Sequence, residues 1–390
     1  MTINDAKQIN GKNIFIAKTF AGLEGVLAEE LLDIGASKTK IINRGVQFEG
    51  NKELMYKANY SSRTALRILK PIATFKALNE DQLYNEILKI DWEEYLDVNR
   101  TFAIEGITSY SNITHSKFLA LKTKDAIADQ FREKTGKRPS VDTYNPDLRI
   151  NVRIFKNEST VSLDSSGESL HKRGYRIATG PAPINEVLTA GMILLSGWDK
   201  KSNFIDPMCG SGTIPIEAAL YALNIPPGFK RKRFGFEGWK DFDKDLWEKV
   251  KKEALEKRLE FNRQIIGSDR SGRIMKIAGE NVNSAGLENI ITLKTRFIDD
   301  LEPPKNGGVM IMNPPYGERM TTENTTDLYK KIGDTLKQNY KGYASWIISA
   351  DMEALKFIGL RPSRKIKLFN GPLESRFCKF EIYEGSRKRN

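Results

Sequence analysis

Two cysteines and two histidines in 390 residues leave little from which to build a thiol or metal centre. Cys209 and Cys378 cannot make a disulfide framework, and His115 and His171 fall short of a ligand cluster, so no metal is expected. Cys378 stands in the alternating Phe377-Cys378-Lys379-Phe380, a strand-core pattern, and Cys209 lies in a glycine-rich turn where a small residue suffices. Neither reads as a nucleophile, and covalent catalysis is not indicated. No run approaches the roughly 18 apolar residues of a membrane span, and the opening Met1-Thr2-Ile3-Asn4 lacks a leader's apolar core. A cytoplasmic chain without a membrane partner is expected. An acidic surplus is also missing. Against 50 Asp and Glu stand 62 Lys and Arg, a net charge of +12 that favours a polyanionic partner. Residues 1–180 hold 27 cations and 23 anions, so the surplus is not confined to one tail. The alternative is solvated surface charge.

What is present centres on two turns. Val309-Met310-Ile311-Met312 reads as a short buried strand, stopped by Pro314 and Pro315, which cannot donate to a ladder. At its end stand the Asn313 amide, the Pro314 carbonyl and the Tyr316 ring. An exocyclic amino group on a nucleobase needs two acceptors for its hydrogens and a flat surface for its ring, which this corner can supply. The plain alternative is a proline-rich turn with a capping asparagine.

Upstream, Asp206-Pro207-Met208-Cys209-Gly210-Ser211-Gly212-Thr213 separates the strand-like Asn203-Phe204-Ile205 from a helical stretch over 214–223. A strand, a glycine-rich turn and a helix cradle an adenosine-bearing cofactor, because glycine lets backbone and ligand approach closely. No lysine follows the turn, which excludes a P-loop. Pro215 stands where a dinucleotide fingerprint needs a small residue, and that fingerprint's acid about 20 residues on is missing too. The next acid to end a strand-like run is Asp269, which is also positioned to cap a helix.

In this order the two motifs, the second continuing as Gly317-Glu318-Arg319, resemble class I S-adenosylmethionine-dependent amino-methyltransferases. The likeness is greatest to THUMP-domain guanine-N2 methyltransferases of large-subunit ribosomal RNA, the RlmL type. His171-Lys172-Arg173-Gly174-Tyr175-Arg176, Ala182-Pro183-Ile184-Asn185-Glu186 and Asn370-Gly371-Pro372-Leu373 extend it over nearly the whole chain. The resemblance implies an α/β protein: a Rossmann-like, seven-stranded methyltransferase domain preceded by a ferredoxin-like and THUMP α+β region that binds RNA. Expected boundaries are 1–58 for the ferredoxin-like region, 59–165 for THUMP, 166–182 for a linker and 183–390 for the methyltransferase. The cofactor implied is S-adenosylmethionine. The partner implied is 23S ribosomal RNA, naked or within a large-subunit assembly intermediate.

The resemblance also implies site roles. Asn313, Pro314, Pro315 and Tyr316 would hold the target base. Asp206, Pro207, Met208, Cys209, Gly210, Ser211, Gly212 and Thr213 would lie against the cofactor's methionine portion, and Asp269 with Arg270 at its ribose. Where the family often places an acid near the adenine, this chain has Arg296-Phe297, with Asp299 slightly later. Some relatives carry a second methyltransferase domain; this chain ends with Ser386-Arg387-Lys388-Arg389-Asn390, so only the guanine-N2 activity is implied.

RNA contacts are expected from four groups. Lys117, Lys122 and Lys124 lie on a helix over 116–135, where Asp125, Asp129 and Glu133 make a solvated face the alternative. Arg173, Tyr175 and Arg176 offer charge and stacking, or else a packed linker. Lys230, Arg231, Lys232 and Arg233, between Phe229 and Phe234, open an excursion over 226–263 read as projecting from the sheet's carboxyl edge to grip RNA. Arg319 follows the catalytic corner. The front of the chain reads as strand 13–17, helix 22–34, strands 40–42 and 45–49, an apolar stretch at 65–69 and helix 81–90. Strand 102–107 and a hairpin over 148–163, turning at Asn157-Glu158-Ser159, complete it. Rival functions are a DNA adenine-N6 methyltransferase, a tRNA guanine-N2 methyltransferase and a non-catalytic RNA-binding assembly factor.

Overall fold

The structure, a computed structural model, describes residues 13–180, 183–315 and 322–382, apart from the side chains of 322–324. Tyr316 and Arg319 therefore lie outside the described residues. The chain divides into two compact units. One is Met1–Thr19, Leu27–Leu170 and Arg231–Lys252; the other is Phe20–Val26, His171–Lys230 and Glu253–Asn390.

The elements run β1 (Asn13–Lys18), α1 (Glu24–Asp33), β2 (Thr39–Ile42), β3 (Gly45–Gly50), α2 (Lys52–Ser61) and β4 (Arg67–Lys76). They continue as α3 (Glu80–Leu88), β5 (Thr101–Ser109), α4 (Ser116–Thr135), β6 (Ser140–Val141), β7 (Leu148–Phe155) and β8 (Glu158–Asp164). The strands form one sheet in the order β2-β3-β1-β4-β8-β7-β5-β6. Asn51 caps α2 by accepting from the Leu54 N–H, and Asn79 caps α3 through the Gln82 N–H. Three details depart from the sequence reading. Helix α2 was not expected. The apolar stretch at 65–69 belongs to a strand that runs on through Pro71, because the register shifts between Pro71 and Ala73 and a bulge tolerates the missing donor. The β7–β8 turn is Lys156-Asn157, both left-handed (φ 51° and 62°), the two-residue hairpin that matches strand twist.

The other unit contains α5 (Glu186–Ser196), β9 (Asn203–Asp206) and α6 (Thr213–Ala222). After α7 (Lys244–Glu256) come β10 (Ile265–Asp269), α8 (Gly272–Ala285), β11 (Ile291–Thr295), β12 (Gly308–Met312), α9 (Thr322–Asn339), β13 (Tyr343–Ser349), β14 (Arg364–Asn370) and β15 (Leu373–Glu381). The sheet order is β11-β10-β9-β12-β13-β15-β14, parallel through β13, with β15 antiparallel to β13. This is the expected seven-stranded class I arrangement. Chain order reverses between β9 and β12, which opens a crevice beyond their carboxyl ends. Below it, Ile205, Met310 and Met312 pack with Tyr329, Leu336 and Phe380 in a buried core. No helix among the described residues is long and apolar enough to cross a membrane.

The excursion after Pro226 does not project as the sequence suggests. From Arg231 to Lys252 it packs into the first unit. The Phe236 ring stacks on Phe234 (centroids 5.4 Å apart) and on Tyr56 (4.3 Å), with Trp247 edge-on at 5.1 Å. Arg231 donates to the carbonyls of Ser169 and Glu168 at 2.9 Å and of Ser166 at 3.2 Å. Arg233 pairs with Asp147 at 3.5 Å. The phenylalanines that looked like stacking platforms are core, and these two arginines satisfy polar groups beside them. Lys230 and Lys232 remain exposed.

Candidate active site

Strand β9 delivers Asp206 fully buried, and Pro207 ends the strand there. Asp206 Oδ1 accepts the Met208 N–H at 3.1 Å, while buried Oδ2 has no partner among the described residues. Burial pushes this carboxyl well above the usual carboxylate range, and the charge of Asp269 adds to the effect. Gly210 is left-handed (φ +53°), and a Cβ built there would meet nothing within 4 Å beyond its chain neighbours. The turn thus leaves space on its open side. Cys209 is buried, 3.7 Å from the Met275 sulfur, with its thiol pushed up by burial, the opposite of what a nucleophile requires. Gly212 (φ +87°) begins α6 with no side-chain cap.

Neighbouring strands bring in the other groups. Asp269, ending β10, accepts the Gly210 N–H at 3.3 Å and the Ser271 N–H at 2.9 Å. Ser271, not Asp269, caps α8. Register sets Met310 of β12 beside Ile205 of β9, so Asn313 emerges next to the cofactor turn. Its Oδ1 is buried and unpartnered. Asn313 and Pro315 border the same cavity, of about 410 Å³, as Asp206, Pro207, Met208, Cys209, Gly210, Ser211, Thr213, Asp269, Arg270 and Asp299. Gly212 and Pro314 do not line it.

Sequence reading set Arg296-Phe297 near the adenine without assigning them a contact, and missed further walls of this cavity. Arg296, Phe297 and Ile298 line it, as do Ile274, Ile184, Leu328 and Lys331. The Arg296 N–H donates to the Asp269 carbonyl at 3.1 Å, which carries the half-exposed Phe297 ring to the rim. Lys331 pairs with Asp299 at 2.7 Å and lies 5.5 Å from the Phe297 ring centre. Burial opposes ionisation of Asp299, but the Lys331 hydrogen bond, a backbone hydrogen bond and the Lys331 charge together outweigh it and hold its carboxyl below the usual range.

The His171–Arg176 element is a packed one and not the RNA contact expected of Arg173, Tyr175 and Arg176. Arg173 and Tyr175 are 2% and 1% exposed. The Tyr175 hydroxyl donates to Glu217 at 2.9 Å, and Arg173 lies 3.5 Å from the same carboxylate, so neither offers RNA a surface. Arg176 faces the cofactor turn. Its guanidinium donates to Glu186 (2.7 Å), Thr213 Oγ1 (2.9 Å), Ser211 Oγ (3.1 Å) and the Ile184 carbonyl (3.3 Å). Asn281 completes the strap by accepting the Ile177 and Ala178 N–H groups and donating to the Ala178 and Ser211 carbonyls. Arg176→Ala is therefore expected to raise the dissociation constant for S-adenosylhomocysteine about tenfold, or about 1.4 kcal/mol. Arg176→Lys should not restore it, because an ammonium cannot span four acceptors in a plane. Calorimetric titration checks both, and wild-type affinity in the alanine variant would count against the strap.

Among the helix α4 cations, Lys122 approaches Asp81 at 3.6 Å and the Tyr84 ring, and Lys124 pairs with Asp125 at 2.6 Å. Lys117 is exposed and makes no ion pair among the described residues.

Family comparison agrees with this geometry. An RMKL-like methyltransferase domain matches residues 173–379, a THUMP domain 77–164 and an RlmL ferredoxin-like domain 14–69. The chain belongs to the RMKL-like methyltransferase family. A Synechocystis sp. protein provisionally named an RNA methyltransferase is 40% identical over 371 residues, covering 95% of this chain and 97% of its own length. The ribosomal RNA large subunit methyltransferase K/L of Syntrophotalea carbinolica is 38% identical over 382 residues, 95% of this chain but 54% of that protein. The chain spans about half the length of the K/L relatives it matches. A crystal structure of SMU.472, provisionally named a methyltransferase and complexed with S-adenosylhomocysteine, is 32% identical with a TM-score of 0.86, covering 96% of this chain and 99% of its own. RMKL-like methyltransferases are S-adenosylmethionine-dependent RNA methyltransferases. The cavity of this member fits that cofactor: Asp269 keeps lone pairs free beside the Gly210 opening, and the buried Asp206 Oδ2 is an orphaned acceptor that a cationic group would satisfy.

Proposed function

We propose that the chain transfers the methyl group of S-adenosylmethionine to the exocyclic N2 of a guanosine in 23S ribosomal RNA. The observation that carries this reading is Asn313 Oδ1, a buried acceptor without a partner, in the same cavity as Asp206 and Asp269. When bound, the cofactor supplies an electrophilic methyl group on a sulfonium. Asp269 would accept the ribose hydroxyls, Phe297 would lie against the adenine, and Asp206 would face the methionine portion. The guanine N2 lone pair is conjugated into its ring and is a poor nucleophile. Asn313 Oδ1 and the Pro314 carbonyl would fix its two hydrogens and favour a more tetrahedral nitrogen aimed at the cofactor. An alkylated amino nitrogen is acidic enough to lose a proton without a dedicated base. Neither histidine nor glutamate lines the cavity among the described residues, in keeping with that route.

The names of the K/L relatives favour ribosomal RNA of the large subunit, and the THUMP match favours RNA over DNA. The reading puts the enzyme in the cytoplasm with its RNA. Nucleoside mass spectrometry of ribosomal RNA from a strain lacking this chain tests it. Loss of N2-methylguanosine from the large-subunit RNA, with N6-methyladenosine intact, is expected. Loss of N6-methyladenosine instead would reassign the target base, and unchanged nucleosides would remove ribosomal RNA as the substrate.

A further inference from the structure

One end of the eight-stranded sheet carries an aromatic and cationic cluster that the methyl-transfer chemistry does not use. Tyr110, just past β5, is left-handed (φ 52°) and 84% exposed. A bulky side chain in that conformation is a backbone outlier, as is Lys156 (φ 51°) at the first position of the β7–β8 turn. Local hydrogen bonds hold both in place. The Lys156 N–H reaches the Ser109 carbonyl, Asn157 Oδ1 accepts the Asn112 N–H at 2.8 Å, and Ser111 Oγ accepts the Asn157 N–H at 3.0 Å. Strain of this kind persists where the surroundings over-determine it, and what it presents here is specific. The Tyr110 ring stands edge-on to Phe155 at 5.9 Å, while the Arg153 guanidinium and the Lys156 ammonium lie 5.1 and 5.5 Å from the Phe155 ring centre. Parallel pairing sets Ser109 beside Phe155 and Ile107, 41% exposed, beside Arg153, so these residues share one end of one face. Neither cation makes an ion pair among the described residues. Glu158, opposite Phe155 across the hairpin, pairs with neither.

We propose that this cluster docks an unpaired RNA strand, one base stacking on Tyr110 and flanking phosphates pairing with Arg153 and Lys156. The proposal rests on the RNA methyltransferase reading and names a grip on the substrate within the first unit. Two cations without acidic partners among the described residues, set on the half-buried Phe155 beside the exposed Tyr110 ring, complement a strand that alternates phosphate with planar base. A closed duplex offers no face for a single ring to stack on, which selects unpaired RNA.

Fluorescence anisotropy with the full chain, a labelled unstructured RNA 12-mer and the matching duplex tests it. Tyr110→Asn suits the left-handed backbone while deleting the ring, and is expected to weaken 12-mer binding about tenfold with the salt dependence unchanged. Arg153→Gln with Lys156→Asn, an asparagine being favoured in that turn, should lower the slope of log affinity against log salt by about 1.4, for two single-strand phosphates. S-adenosylhomocysteine titration checks that the variants fold. Affinities within twofold of wild type and an unchanged slope overturn the proposal, as does duplex binding tighter than 12-mer binding. Methyl transfer to ribosomal RNA by the wild type is assayed alongside. Its absence would count against the proposed reaction, while the anisotropy series still decides the docking surface.

Discussion

Replacing Asn313 with alanine is expected to lower the rate of methyl transfer by a factor of about 100 to 1,000, with cofactor affinity within a few-fold of wild type. The split follows from where the residue sits. Asn313 closes β12, while the groups positioned to hold the cofactor come from β9, β10 and the stretch after β11. Its buried Oδ1 has no partner among the described residues, so it holds no local structure together through that atom. What it offers is an acceptor fixed in advance, and such preorganised groups act on the reaction more than on ground-state binding. Asn313→Asp is the informative companion. It keeps an acceptor at the same reach but brings a negative charge, so partial activity is expected, above the alanine variant and below wild type. Single-turnover methyl transfer to ribosomal RNA, with calorimetric titration of S-adenosylhomocysteine, separates the two readouts. Turnover near wild type in the alanine variant would remove Asn313 from the reaction.

Replacing Asp206 is expected to change how stability responds to pH. In the unfolded chain this carboxyl ionises near 3.8; in the folded protein, burial raises it well above that. Between the two values the folded state binds a proton that the unfolded state lacks. The stabilising contribution is therefore complete below the unfolded pKa and falls as pH rises towards the folded one, by about 1.4 kcal/mol per pH unit. Asp206→Asn retains an acceptor for the Met208 N–H and has nothing to titrate. The ligand-free variant should thus gain on the wild type as pH rises above the unfolded value, seen as a diverging pair of thermal unfolding curves. With S-adenosylmethionine the order should reverse, because a cationic ligand favours the ionised carboxylate that asparagine cannot supply. Parallel curves without ligand would show that folding does not raise the Asp206 carboxyl, and equal stabilisation of both proteins by the ligand would show that Asp206 does not face the cofactor's charge.

Both effects concern residues legible in the linear chain, and the reason is local. Prolines that cannot join a ladder stop β12 at Asn313 whatever surrounds it. Glycines that tolerate left-handed backbone turn the chain after Asp206, and apolar runs define the strands on either side. Helical spacing likewise marked α4 over the residues it occupies. Such signals act across a few residues, so they survive without the fold.

The fate of a charge does not. Arg176 read as an RNA contact from its neighbours, yet its acceptors on Ser211 and Thr213 lie 35 and 37 residues away. Arg231 looked free in a basic run, yet its carbonyl partners are more than 60 residues upstream. Lys331 gave no sign that it would share a cavity wall with Phe297, and the apolar stretch at 65–69 gave none that its strand would continue past a bulge at Pro71. The sequence by itself determined the two turns, the order of strands and helices around them and the chemistry those turns can hold. Only the tertiary structure decided which cations were already engaged and which stayed available, because an ion pair forms with whatever polar group the folded chain brings within reach, however distant in sequence.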